Sequence, residues 1–325
     1  MKNLLEVSDL SVEYRTYEGT VAAVNGLGFS LAPGRTLGLV GESGAGKTTT
    51  ALAVMGLVPS PPGVITSGEI NFAGRNLLSL PEREMKKIRG NRISMIFQDP
   101  MTSLNPVVTV GLQISEAIAA HQNLSDKEAE DKAREMLEKV QIPGQRYREY
   151  PHEFSGGMRQ RVVIAMALAC NPALIIADEP TTALDVTIQA QVLELMRSLK
   201  EEFSTAMIMI THDLGVVGEV CDHVAVMYGG RIVETGSLER IFDGPRHPYT
   251  RGLFRCIPDI EEKTSEIRPI EGLMPDPLDL PKGCPFHPRC PEAMEICRTV
   301  IPPVSDDGGH RVMCHLYGKG GEARG

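Results

Sequence analysis

Short apolar runs alternate with polar stretches over residues 3–40, a pattern that predicts two or three strands. Thr36-Leu37-Gly38-Leu39-Val40 closes this region as a short buried strand. A helix is predicted from Thr48 to Leu57, stopped by Pro59, Pro61, Pro62 and Gly63. Strands follow near Gly68 to Phe72 and at Ile93-Ser94-Met95-Ile96-Phe97. From Asp99 to about Pro151 the spacing turns helical, with Ala129, Ala133, Met136, Leu137 and Val140 on one face. This stretch reads as a helical insertion within an α/β fold. Ser155 is placed to cap the next helix, which is expected to run to Cys170. Ala173-Leu174-Ile175-Ile176-Ala177 is apolar without alternation, as in a strand covered on both faces. A helix from Ile188 to Glu202 follows, then strands at Ala206 to Ile210, Val224 to Met227 and Arg231 to Glu234, ending at about Phe242. Strands joined by crossover helices in this order predict a doubly wound, largely parallel sheet. After Gly244-Pro245 the periodicity fades and prolines accumulate over residues 257–303, so this tail needs another source of order.

Composition narrows the classes. A length of 325 residues with 42% hydrophobic content allows one large domain and a smaller one. The absence of Trp, 5% aromatic content and a net charge of −9 leave few stacking platforms and no broad phosphate-binding surface, so no nucleic-acid partner is expected. No apolar run reaches the ~18 residues that a spanning helix needs. Met1 to Val7 lacks the apolar core and cleavage site of a signal peptide, and a cytosolic location is expected. In a reducing compartment, seven cysteines point to buried thiols or metal ligands rather than disulfides. Cys170, Cys221 and Cys256 read as buried thiols.

The chemistry gathers in a few motifs. Gly41-Glu42-Ser43-Gly44-Ala45-Gly46-Lys47-Thr48 fits G-x-x-x-x-G-K-[ST] between a predicted strand and a predicted helix. Its glycines let the backbone approach an anion, and the helix N-terminus directs N–H groups and partial positive charge at phosphates. Lys47 is expected on the β- and γ-phosphates and the Thr48 hydroxyl on Mg²⁺. Asp178 and Glu179 end a buried strand, where an active-site carboxylate pair in such a sheet belongs. The first suits Mg²⁺, and the second suits orienting the water that attacks the γ-phosphate. Tyr14 and Tyr17 are candidates for stacking on an adenine ring, and His212 stands between Thr211 and Asp213 at a strand end.

The combination of GESGAGKT, Gln98, SGGMRQR, LIIADEP, Ala183-Leu184-Asp185 and His212 resembles the nucleotide-binding subunits of ABC transporters. The resemblance implies a P-loop ABC ATPase, with a RecA-like mixed sheet core, N-terminal antiparallel strands and an inserted helical subdomain at about 99–160. That domain would cover 1–244, and 245–325 would be a small Cys-rich extension. It also implies ATP contacts at Gly41, Glu42, Ser43, Gly44, Ala45, Gly46, Lys47, Thr48 and Thr49, with Tyr14 stacking on adenine and Tyr17 as runner-up. Thr48, Gln98 and Asp178 would serve Mg²⁺, Glu179 would be the catalytic carboxylate, and His212 would contact the γ-phosphate. Ser155, Gly156 and Gly157 would reach the nucleotide of a partner subunit, with Asp185 at the same contact. ATP binding would close two such subunits and hydrolysis would reopen them.

The stretches IFQDPMTSLNPVVTVGLQISEAI, DEPTTALDVTIQAQVLELM and GPRHPYTRGLF, with the C-terminal CPFHPRCPEAMEIC and GHRVMCHL, resemble, more narrowly, the ATPase subunits of bacterial oligopeptide/dipeptide importers. This likeness spans nearly the whole chain. It implies a peripheral subunit at the cytoplasmic face of the inner membrane, docked on two transmembrane permease subunits through the segment after Gln98. A second ATPase subunit, paralogous or identical, and an extracytoplasmic peptide-binding protein complete the implied system. Nickel importers share the subfamily; soluble ABC ATPases and P-loop kinases are the wider alternatives.

Cys284, Cys290, Cys297 and Cys314 are separated by gaps of five, six and sixteen residues, which do not fit the usual zinc spacing. Cys284-Pro285 and Cys290-Pro291 resemble the Cys-Pro step at some cluster ligands. A [4Fe–4S] cluster, Zn²⁺ at the same cysteines, and free thiols all remain open on spacing; the importer resemblance implies the cluster. His287, His310 and His315 are expected to be solvated or to stand behind the ligands.

Overall fold

The computed structural model describes residues 2–182, 184–256 and 269–318. In chain order its strands are β1 (Leu5–Thr16), β2 (Gly19–Leu31), β3 (Thr36–Val40), β4 (Gly63–Phe72), β5 (Arg75–Asn76), β6 (Ile93–Ile96), β7 (Leu174–Asp178), β8 (Ala206–Thr211), β9 (His223–Tyr228), β10 (Arg231–Ser237), β11 (Val304–Asp307) and β12 (His310–Met313). Its helices are α1 (Lys47–Met55), α2 (Glu82–Ile88), α3 (Pro100–Ser103), α4 (Val110–Ala119), α5 (Asp126–Lys139), α6 (Gly156–Leu168), α7 (Val186–Phe203), α8 (Leu214–Val220), α9 (Leu238–Asp243) and α10 (Pro248–Arg255). The chain divides into two units, residues 1–4, 31–36 and 76–211 in one, and 5–30, 37–75 and 212–325 in the other.

In the first unit β6, β7 and β8 run parallel, with Ile96 beside Ala177 and Asp178 beside Ile210. Every residue of β7 and β8 is buried, which is why their sequences are apolar without alternation. The helical insertion belongs to this unit. The Ser125/Glu128 capping box starts α5, whose Ala129, Ala133, Met136 and Leu137 are buried as the spacing predicts. α6 packs against α4, α5, α7 and β6, and so links the insertion to the sheet.

In the second unit β1 pairs antiparallel with β4, from Leu5↔Phe72 to Tyr14↔Gly63. That pairing draws β4 back to Gly63, five residues before its predicted start. β3 lies parallel to β9, and β9 is antiparallel to β10, so this part of the sheet is mixed rather than largely parallel. α1 stops at Met55 because Gly56 caps it in the left-handed region at φ 60°. The chain beyond residue 244 is tied to the same unit. β12 adds to β10 through Glu234↔Val312 and Thr235↔Arg311, and β11 pairs with β12. Tyr228, Tyr249 and Phe286, all fully buried, meet with centroids 4.6, 5.1 and 5.3 Å apart. Edge-on aromatic packing thus supplies part of the order that the tail's weak periodicity left unexplained.

Candidate active site

In the second unit, the loop at residues 41–46 connects β3 to α1. Gly46 forms the helix N-cap at φ 100°, with no side chain capping the first turn. A Cβ on Gly46 would stand 2.3 Å from the Ala23 carbonyl oxygen, and one on Gly41 would stand 2.3 Å from that of Met227. Only glycine fits either place. α1 thus opens on a glycine N-cap that brings no capping side chain, and a helix N-terminus entered from a glycine loop is the arrangement that receives an anion. Lys47 opens the helix and is buried; its Nζ donates to the Gly41 and Glu42 carbonyls at 2.7 and 3.0 Å. Thr48, Ser43 and Gly44 are exposed, and Thr49 is half-buried. The Tyr14 hydroxyl donates to Thr49 Oγ1 at 3.5 Å, beside the first turn, whereas Tyr17 is 96% exposed. His212 is exposed, next to Asp213, which caps α8 by accepting from the Gly215 N–H.

In the first unit, parallel pairing sets the ends of β6 and β7 side by side, and this brings Gln98 to Glu179. Gln98 Nε2 donates to Glu179 Oε2 at 2.8 Å, and the Thr182 hydroxyl donates to the same oxygen at 3.0 Å. Asp178, the last residue of β7, is buried. Glu179 turns the chain at φ 47°, a conformation costing a non-glycine residue about 1 kcal/mol or more, and its N–H donates to the Ile210 carbonyl. Ser155 caps α6 by accepting from the Met158 N–H, and Asp185 caps α7 by accepting from the Ile188 N–H at 3.0 Å. The two caps are neighbours because Gly157 packs on Ile188 and Gly156 on Leu184. Ala183 of the sequence motif lies outside the described residues.

Residues 24–182 match the family model described as ABC transporter, and residues 233–297 match that of the oligopeptide/dipeptide transporter C-terminal region. The oligopeptide transport ATP-binding protein of Salmonella typhimurium is 55% identical over 92% of this chain and 89% of the relative. The chain belongs to the ABC-transporter ATP-binding family. The dipeptide transport ATP-binding protein of Bacillus subtilis is 50% identical to this ABC subunit, over 97% of the chain and 95% of the relative. A solved dimer of an ATP-binding cassette in a post-hydrolysis state, bound to ADP and Pi, has a TM-score of 0.65 and 26% identity over 72% of this chain and 98% of that one. The ABC subunit therefore has the P-loop ATPase fold expected from its motifs. No helix among the described residues is long and apolar enough to cross a membrane.

The ABC subunit's C-terminal segment buries Cys284, Cys297 and Cys314 and half-buries Cys290. Burial, and secondarily the charge of neighbouring thiolates, pushes Cys284 up to about 11 and Cys314 up to about 12; Cys290 is also raised. The neighbours acting on Cys314 are the other three cysteines, so the four thiols lie within electrostatic reach of one another. The donor set is soft and wholly thiol, which fits a cluster or zinc. Even so, no three of His, Cys, Asp or Glu among the described residues stand close enough to hold a single metal ion. His287 Nδ1 lies 3.0 Å from the Cys284 carbonyl oxygen and His315 Nε2 3.0 Å from that of Val300. For His310 the solvated alternative of the sequence expectation does not hold. His310 is buried, with Nε2 2.7 Å from Glu234 Oε1, and Glu234 also accepts from the Arg246 and His247 N–H groups. Among the isolated thiols Cys170 and Cys221 are buried, but Cys256 is only half-buried. Sequence reasoning missed Tyr249 and Arg289, whose side chains reach Glu42 of the phosphate loop.

Proposed function

We propose that this ABC ATPase powers import of oligopeptides or dipeptides, driving two transmembrane permease subunits from the cytoplasmic face of the membrane. A second ATPase subunit, identical or paralogous, completes the pair, and an extracytoplasmic binding protein delivers the peptide. The names of the relatives and the C-terminal region matched at residues 233–297 support a peptide cargo over nickel and over non-transport ABC ATPases.

In this reading the amides of residues 41–48 and Lys47 bind the phosphates of ATP, and Tyr14 stacks on adenine. Thr48, Gln98 and Asp178 hold Mg²⁺, which when bound neutralises charge on the β- and γ-phosphates. Glu179 orients the attacking water and His212 contacts the γ-phosphate. Ser155, Gly156 and Gly157, with Asp185, face the nucleotide bound by the partner subunit. The observation that carries the chemistry is Glu179. It stands at the end of a buried strand in a strained backbone conformation, its carboxylate held by Gln98 and Thr182. The cysteines at 284, 290, 297 and 314 hold a [4Fe–4S] cluster. Four thiols within electrostatic reach of one another, forming a soft all-sulfur donor set, support this reading.

The test is complementation of a deletion strain. Wild-type protein should restore growth on defined peptides and leave nickel-limited growth unchanged. Glu179→Gln should bind ATP yet fail to complement, with ATPase activity down by about 100-fold or more. Rescue of nickel-limited growth alone, or full turnover by Glu179→Gln, would contradict the reading.

A further inference from the structure

Glu42 places a carboxylate inside a loop that serves the most anionic part of a nucleotide. Left to itself, that charge would repel a triphosphate. The fold deals with it from 247 residues away. Arg289, its side chain 5% exposed, donates from Nη1 to Glu42 Oε2 at 2.6 Å and from Nη2 to Glu42 Oε1 at 3.1 Å. This is the bidentate fork in which arginine neutralises a carboxylate best. The rest of the guanidinium is used as well: Nε donates to the Glu271 carbonyl, Nη2 to that of Ile270, and Nη1 also to the Tyr228 hydroxyl. Glu42 is held a second time through its main chain, whose N–H donates to the Tyr249 hydroxyl at 3.0 Å. Tyr249 is fully buried against Tyr228 and Phe286, so the acceptor is fixed. Both the side chain and the main chain of one loop residue are thus set by residues of the C-terminal segment, outside every nucleotide motif.

We propose that Arg289 and Tyr249 are positioning residues for nucleotide binding, neutralising and turning the Glu42 carboxylate and fixing the entry of the phosphate loop. The proposal rests on the reading of residues 41–48 as the phosphate cradle. Nucleotide affinity then depends on the fold of the segment that carries Arg289.

The experiment titrates the full chain with a fluorescent ATP analogue and Mg²⁺, and measures KM and kcat for ATP. Arg289→Met should weaken binding and raise KM by about tenfold, the size of one charged hydrogen-bonded pair, with kcat changed much less. Adding Glu42→Gln to Arg289→Met should recover most of the affinity, because the uncompensated carboxylate is gone. Tyr249→Phe, which keeps the ring and loses only the acceptor, should weaken binding by about threefold. Should Arg289→Met fail to fold, Arg289→Lys preserves charge without the fork and should give an intermediate loss. A merely structural role for Arg289 predicts no recovery from Glu42→Gln, and that result, or an unchanged affinity in both Arg289→Lys and Tyr249→Phe, overturns the proposal. Lys47→Ala separates the two levels. Normal binding in Lys47→Ala removes the cradle reading and the proposal with it, whereas loss there beside normal binding in the Arg289 variants removes the proposal alone.

Discussion

His247 shows how far burial governs single residues in this protein. Its ring is 1% exposed, Nδ1 accepts from the Tyr249 N–H at 3.1 Å, and Phe286 lies 5.7 Å away. Burial, and after it the positive charge of Arg251, lowers its pKa to about 3. The charged groups at hand are therefore Arg251, which opposes protonation, and Glu234, which accepts the His247 N–H. In the unfolded chain the same imidazole titrates near ~6.5. Between these values the unfolded state takes up a proton that the native state excludes. Stability is thus complete above the unfolded pKa and falls by about 1.4 kcal/mol per unit as pH drops through the window. His247→Asn replaces the capping Nδ1 of α10 with an amide oxygen that accepts in its place but cannot titrate, so urea unfolding at pH 7.5, 6 and 5 should show a flatter acid limb. Equal slopes in the two proteins would refute the assignment. The site residues readable from sequence were those in short contiguous motifs, such as Lys47, Glu179 and Ser155. Arg289 and Tyr249 were not readable, because their partner Glu42 lies 247 and 207 residues away. His310 escaped for the same reason, its environment being set by Glu234 at 76 residues' separation.

Secondary structure was legible where burial is symmetric. β3, β7 and β8 are buried along their whole length and read as runs without alternation, apolar but for Thr36, Asp178 and Thr211 at their ends. The hairpin β11–β12 did not read as strands, since VSDD is polar and flanked by proline. Its turn was nevertheless written in Gly308 and Gly309, at φ 60° and 91°, the two-residue form that suits a twisted hairpin. Between helices the telling contact is Gly157, on the face that α6 turns to α7. A Cβ there would stand 2.4 Å from Ile188 Cγ2, a branch held stiffly near the backbone. Two effects compete in Gly157→Ala. Helix propensity favours alanine by about 1 kcal/mol, while overpacking costs about 1–3 kcal/mol. The clash should win, lowering stability by about 1–2 kcal/mol in denaturant unfolding. Ile188→Ala in the same chain should return part of that loss. A Gly157→Ala protein more stable than wild type would show that α7 yields freely at this contact.

For the whole molecule, the question is what steadies the C-terminal segment and what depends on it. Residues 269–318 carry two short strands, single turns of 3₁₀ helix and a core built on Phe286, Val312, Met313 and the buried cysteines. So small an apolar core gives a segment little independent stability. Burial raises Cys284 and Cys314 further above neutral pH, so in its thiol form the segment buries both uncharged. A cationic centre would ionise them, and its binding energy would become folding energy. Anaerobically purified chain is accordingly expected to be brown, with about four iron and four sulfide per chain. Stripping the centre, or replacing Cys284 and Cys297 by Ser, should lower the thermal midpoint by about 5–10 °C. Arg289 stands beside Cys290 and holds Glu42, so the same treatment should also weaken ATP binding, whereas Glu42→Gln should make affinity less sensitive to it. Colourless protein carrying one zinc would replace the cluster with an ion. A stripped protein with unchanged midpoint and unchanged affinity would mean that the aromatic contacts and the β10–β12 pairing hold the segment alone.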